Sequence, residues 1–105
     1  MQPYFVTLVT TEFSGKDPEG YEAYRNELSA IVAKQPGFKS AETIHNGEKT
    51  ISLTYWESEE SMHTWATSAE HQETKKKSQE GGWYKYLRLE IAQVTMAMEF
   101  PPKRG

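Results

Sequence analysis

Residues 38–57, FKSAETIHNGEKTISLTYWE, read as two strands and the turn that joins them. Phe38 to His45 and Lys49 to Glu57 are rich in β-branched and aromatic side chains, and Asn46-Gly47 lies between them. Asn-Gly tolerates the left-handed backbone of a tight turn, so the pair predicts a β-hairpin. Side chains alternate along a strand, so Ile51, Leu53 and Tyr55 share one face of the second run. Ser52, Thr54 and Trp56 take the other.

Upstream, Gln35-Pro36-Gly37 closes a helix that Asp17-Pro18-Glu19 opens. Asp17 can cap, Pro18 suits the first helical position, and Glu19 complements the positive end of the helix dipole. Tyr21, Tyr24, Leu28, Ile31 and Val32 recur at helical spacing between them. Before it, Tyr4 to Thr11 predicts a strand, with Tyr4, Val6 and Leu8 on one side and Phe5 and Val9 on the other. Downstream, Ser58 caps a second helix whose buried stripe is Met62, Trp65, Ala66 and Ala69. The polar segment Glu70 to Gln79 continues it, after a kink, to Gly81-Gly82.

A last strand begins at Trp83-Tyr84. Leu87, Leu89 and Ile91 hold odd positions, whereas Val94, Met96 and Met98 hold even ones, which predicts a bulge near Ala92-Gln93. The order βαββαβ defines an α+β, ferredoxin-like domain: a four-stranded antiparallel sheet with its helices on one face. The domain is expected over 1–98, with an irregular tail over 99–105. At about 3.3 Å per residue, Tyr84 to Met98 would span roughly 50 Å. A domain of this length is only about 35 Å across. The strand therefore bends or reaches a second subunit, and the open sheet face asks for cover. Both expectations are met by a homodimer that forms a dimeric α/β barrel.

The 105 residues carry a net charge of −3, and only Lys75-Lys76-Lys77 forms a basic run, so no nucleic-acid partner is expected. There is no cysteine, which excludes disulfides and thiolate chemistry and fits a reducing, cytoplasmic setting. No leader-like segment or membrane-spanning apolar run is read, so no membrane partner is expected. The three histidines, His45, His63 and His71, form no i, i+4 pair, and no metal is expected. Nucleotide-binding and serine-hydrolase motifs are also missing.

Gln35-Pro36-Gly37-Phe38, the run from Trp56-Glu57-Ser58 through Met62 to Trp65 with Ala69-Glu70-His71, and Trp83-Tyr84-Lys85-Tyr86 resemble one family. Over about Tyr4 to Thr95 the chain is similar to antibiotic biosynthesis monooxygenases, which are dimeric α/β barrels. The resemblance implies a homodimer with one cavity per subunit between sheet and helices, and cofactor-free oxygenation of a small quinol-like aromatic. The alternative on the same fold is a non-catalytic ligand-binding or stress-associated protein. The haem-degrading branch uses an Asn on the first strand and a His ten residues after the helix tryptophan. Here the strand offers Thr7, Thr10 and Thr11, and Thr74 and Lys75, nine and ten residues after Trp65, include no histidine.

The candidate catalytic residues are His71, as general base, and Trp65, whose indole can stack on a planar substrate. Tyr55, Trp56, Tyr84 and Tyr86 join Trp65 as candidate substrate-binding residues. On one continuous helix, His71 would fall on a different face from Trp65.

Overall fold

The computed structural model describes residues 3–102. Its elements are β1 (Tyr4–Phe13), α1 (Pro18–Val32), β2 (Phe38–Asn46), β3 (Lys49–Trp56), α2 (Glu59–Ala66), α3 (Ala69–Gly81) and β4 (Tyr84–Val94). The strands form one antiparallel sheet in the order β2-β3-β1-β4. This is the expected ferredoxin-like arrangement, with the second helical segment divided in two.

The helix starts follow the capping chemistry in the sequence. Asp17 accepts a hydrogen bond from Gly20 N–H, Ser58 from Ser61 N–H, and Ser68 from His71 N–H. The hairpin turn sits one residue later than Asn46-Gly47 suggests. Asn46 pairs with Lys49, so Gly47 and Glu48 are the central residues. Gly47 has φ 63° and Glu48 is not left-handed, which fits a turn needing positive φ only at its first central position.

β4 ends earlier than its sequence pattern suggests. Tyr4 pairs with Val94, and the residue before Tyr4 is Pro3, which has no N–H to extend the ladder. Among the described residues Met96 and Met98 have no partner strand, and residues 95–102 form no regular element. The remainder of the expected tail, 103–105, lies outside the described residues. No bulge occurs at Ala92-Gln93; the register shifts at the other end, between Glu12 and Phe13. At 11 residues β4 fits within the 43 Å long axis of the molecule. Strand length thus gives no reason for a second subunit.

Directly paired residues share a face. Phe5 pairs with Trp56, and both pack on the helices, which fixes every other position. The helix side carries Phe5, Thr7, Val9 and Thr11 of β1, Thr50, Ser52, Thr54 and Trp56 of β3, and Leu87, Leu89 and Ile91 of β4. The open side carries Tyr4, Val6, Leu8 and Thr10, Ile51, Leu53 and Tyr55, Ile44, and Tyr86.

The packed core divides into two ends. At one, Trp56, Met62 and Trp65 are buried against Phe5, Leu28, Ile31, Val32 and Phe38. At the other, Tyr21 stacks on Phe13 at 4.4 Å, and Trp83 packs against Tyr24 at 4.9 Å. Two glycines permit these contacts. A Cβ on Gly37, where φ is 84°, would lie 2.0 Å from Ser61 Oγ, so only glycine lets β2 start this close to α2. A Cβ on Gly81 would meet the Trp83 ring at 2.6 Å.

Candidate functional site

The space between the sheet and the helices contains the most chemically useful groups. α2 stops at Ala66 and α3 starts afresh at Ala69, and that break brings His71 back against Trp65. The two rings meet edge to face at 4.9 Å. Ser68 makes the joint: its hydroxyl donates to Trp65 C=O at 2.8 Å and accepts from His71 N–H at 3.1 Å. One side chain thus ends one helix and caps the next, holding both candidate catalytic residues in register.

His71 is half-buried. Burial, with a smaller contribution from Lys75, pushes its pKa below the ordinary histidine value. The ring is therefore neutral at pH 7 and keeps a lone pair. Among the described residues its Nδ1 is buried with no hydrogen-bond partner, and so is Nε1 of Trp56 in the adjoining core. An unpaired buried polar group costs about 1–3 kcal/mol. Nε1 of Trp83, at the other end of the core, is the third such group among the described residues.

Away from the aromatic end the lining is unusually polar. α3 turns His71, Thr74 and Ser78 inward, and Thr74 is only 5% exposed. On the helix side the sheet carries the hydroxyl-bearing Thr7, Thr11, Thr50, Ser52 and Thr54. At the β4 edge Leu87, Leu89 and Ile91 face the helix side but remain 52%, 56% and 54% exposed. The helix layer does not close over β4, and the interlayer space has an apolar lip on that side.

The sequence-predicted residues do not form one group. Trp56 and Trp65 share a core cluster, and His71 joins them through Trp65. Tyr84 lies at the far end of the helix side, 5.7 Å from Tyr21, where burial pushes its phenol pKa upward. Tyr55 is on the open face and donates to Glu42 at 3.2 Å, while Tyr86 is exposed there, opposite Glu12. Tyr55 and Tyr4 also line a groove of about 940 Å³ between β2 and the segment Ala97–Pro101.

Sequence reading missed Ser68 and Thr74. Their signal was there: His71, Thr74 and Ser78 recur at helical spacing with nothing apolar among them. Among the described residues no group of three His, Asp or Glu side chains stands ready for a metal. No described helix is long and apolar enough to cross a membrane.

Fold and side-chain placement together define a ferredoxin-like α+β domain with an aromatic cluster and several hydroxyl-bearing side chains on the facing sides of sheet and helices. The family model for antibiotic biosynthesis monooxygenase matches residues 8–77, and the chain belongs to that family. It is 28% identical over 93 residues to the uncharacterized protein YqjZ of Bacillus subtilis (strain 168), covering 88% of this chain and 80% of that one. Its fold matches SnoaB, a cofactor-independent oxygenase from Streptomyces nogalater, with TM-score 0.72 at 13% identity over 97% of this chain and 100% of SnoaB. PA3566 from Pseudomonas aeruginosa matches with TM-score 0.72 at 11% identity, over 93% of this chain and 98% of that one.

Proposed function

We propose that this protein is a cofactor-independent oxygenase of a small, electron-rich aromatic bound between sheet and helices. The observation that carries this reading is His71 itself: a neutral imidazole, half-buried against Trp65, with a buried Nδ1 that nothing in the described chain engages. A planar substrate enters past the Leu87, Leu89 and Ile91 lip and lies against Trp65. His71 removes a proton from the activated ring carbon or its hydroxyl. The resulting carbanion reduces dioxygen and forms a carbon–oxygen bond. The peroxide then loses water, so a CH2 group and one O2 become a carbonyl and one H2O. Trp56 N–H, which has no partner among the described residues, is the available donor for the developing oxyanion, whereas the Thr74 hydroxyl is already committed to His71 C=O.

The same reading makes the working form a homodimer joined through the open sheet face. Leu8, Ile51 and Leu53 lie half-buried at its centre with Ile44 exposed beside them, and the exposed Met96, Met98 and Phe100 follow β4. Oxygen uptake is measured with a panel of quinols and anthrones. Uptake by the wild type that falls in both Trp65→Phe and His71→Ala supports the proposal. Uptake no greater than in the double variant refutes it.

A further inference from the structure

At the opposite end of the helix layer, Arg25 of α1 is half-buried and positively charged, yet it has no acidic partner among the described residues. No described carboxylate lies within ion-pairing distance of it, although four lysine or arginine ion pairs form elsewhere on the described surface. Its guanidinium lies 5.6 Å from the centre of the Tyr21 ring, and its Nη1 approaches His45 Nε2 at 3.5 Å. Arginine can only donate, so His45 Nε2 accepts. His45 Nδ1 lies 3.1 Å from Thr50 Oγ1 and can donate to it. Thr50 is buried, so a relay anchored in the sheet runs through His45 and aims Arg25.

Arg25 also lines a groove of about 400 Å³ along α1, together with Phe13, Tyr21, Glu22, Asn26 and Ser29. Phe13 and Tyr21 are stacked at 4.4 Å and 11°, a rigid aromatic wall beside the cation. A guanidinium is worth most to a ligand when no carboxylate already holds it. Asn26 adds an amide that can donate. Glu22 adds a negative charge at the rim, which disfavours a second charge on the ligand.

We infer that this groove is a second binding site, separate from the Trp65–His71 space, for a small aromatic monocarboxylate. The ring lies on the Phe13–Tyr21 wall and the carboxylate is gripped by Arg25. Nothing in this inference depends on the oxygenase reading.

The test follows backbone amide shifts of the 15N-labelled protein during titration with benzoate and, separately, with inorganic phosphate. Benzoate is expected to shift the amides of Tyr21 to Asn26 and to saturate, whereas phosphate binds at least about tenfold more weakly, one decade being about 1.4 kcal/mol. Arg25→Met keeps the aliphatic stem over Tyr21 and is expected to weaken benzoate at least tenfold with an unchanged spectrum elsewhere. Arg25→Lys recovers part of the affinity, because the charge returns without the fork. His45→Phe, which leaves Arg25 charged but unaimed, is expected to weaken binding several-fold. Benzoate shifts confined to Trp65–His71, undiminished affinity in Arg25→Met, or phosphate binding as tightly as benzoate would each overturn the assignment.

Discussion

Replacing Ser68 with alanine removes two hydrogen bonds at once, and their worth can be set out from the geometry. The bond accepted from His71 N–H is the N-cap of α3, and losing such a cap costs about 1 kcal/mol. The bond donated to Trp65 C=O is part-buried at 2.8 Å and adds up to about 1 kcal/mol. Together they predict destabilisation by about 1–2 kcal/mol. At roughly 4–8 °C per kcal/mol for a domain of this size, the melting temperature falls by about 4–16 °C. Ser68→Asp can still accept from His71 N–H and places a negative charge at the start of α3, but it cannot donate to Trp65, so it recovers about half of that stability. A second readout follows the ring pair. His71 is the only histidine in ring contact with a tryptophan among the described residues, and an imidazolium quenches a touching indole. Wild-type tryptophan fluorescence should therefore fall on acidification, with a midpoint below the ordinary histidine value, and Ser68→Ala should shrink that step. A Ser68→Ala protein melting within about 2 °C of wild type with an unaltered fluorescence titration would show that Ser68 holds neither helix end.

The lowered His71 pKa fixes the sign of two pH effects. If His71 is the base, kcat/KM rises with pH to a plateau, with its midpoint below about 6.5, and His71→Gln lowers the plateau by about 10²–10⁴-fold. For stability, the unfolded chain binds the His71 proton more readily than the folded one. This contribution is complete above about 6.5, declines as pH falls, and levels off below the folded pKa; His71→Gln removes that slope in urea denaturation. Leu53→Lys, at the centre of the open face, is expected to convert a dimer into the 12.1 kDa monomer in sedimentation equilibrium while helical circular dichroism is kept. Gly37→Ala should cost about 2 kcal/mol or more, from its left-handed backbone and from the clash with Ser61. In a Ser61→Gly background only the backbone part of that cost should remain in thermal denaturation.

Most of the fold was legible because it rests on local chemistry. Asp17, Ser58 and Gly82 mark helix ends where the sequence placed them, and the alternation in β1 and β3 assigns their faces correctly. What failed was pairing. Val94, Met96 and Met98 alternate like a strand, but alternation does not say whether a neighbour is present, and Pro3 ends the neighbour. The site divides the same way. Trp65 and His71 were separately visible as candidates. Their meeting was not, because continuing one helix through Thr67-Ser68 turns His71 away, and only the new cap turns it back. Tyr55, Tyr84 and Tyr86 are close in type but separated by sheet register, which composition does not encode.

The polar inner stripe of α3 also determines how the molecule comes apart. A helix held by Val, Leu and Ile opens only with its whole domain, because returning each of those side chains to water is costly. α3 turns inward Thr74, Ser78 and the half-buried His71, and the two hydroxyls donate to His71 C=O and Lys75 C=O of α3 itself, so little apolar surface ties this helix down. The Ser68 joint lets it leave without unwinding α2. α3 is thus expected to open at lower cost than the central strands, with its backbone amides exchanging hydrogen faster than those of β1 and β3.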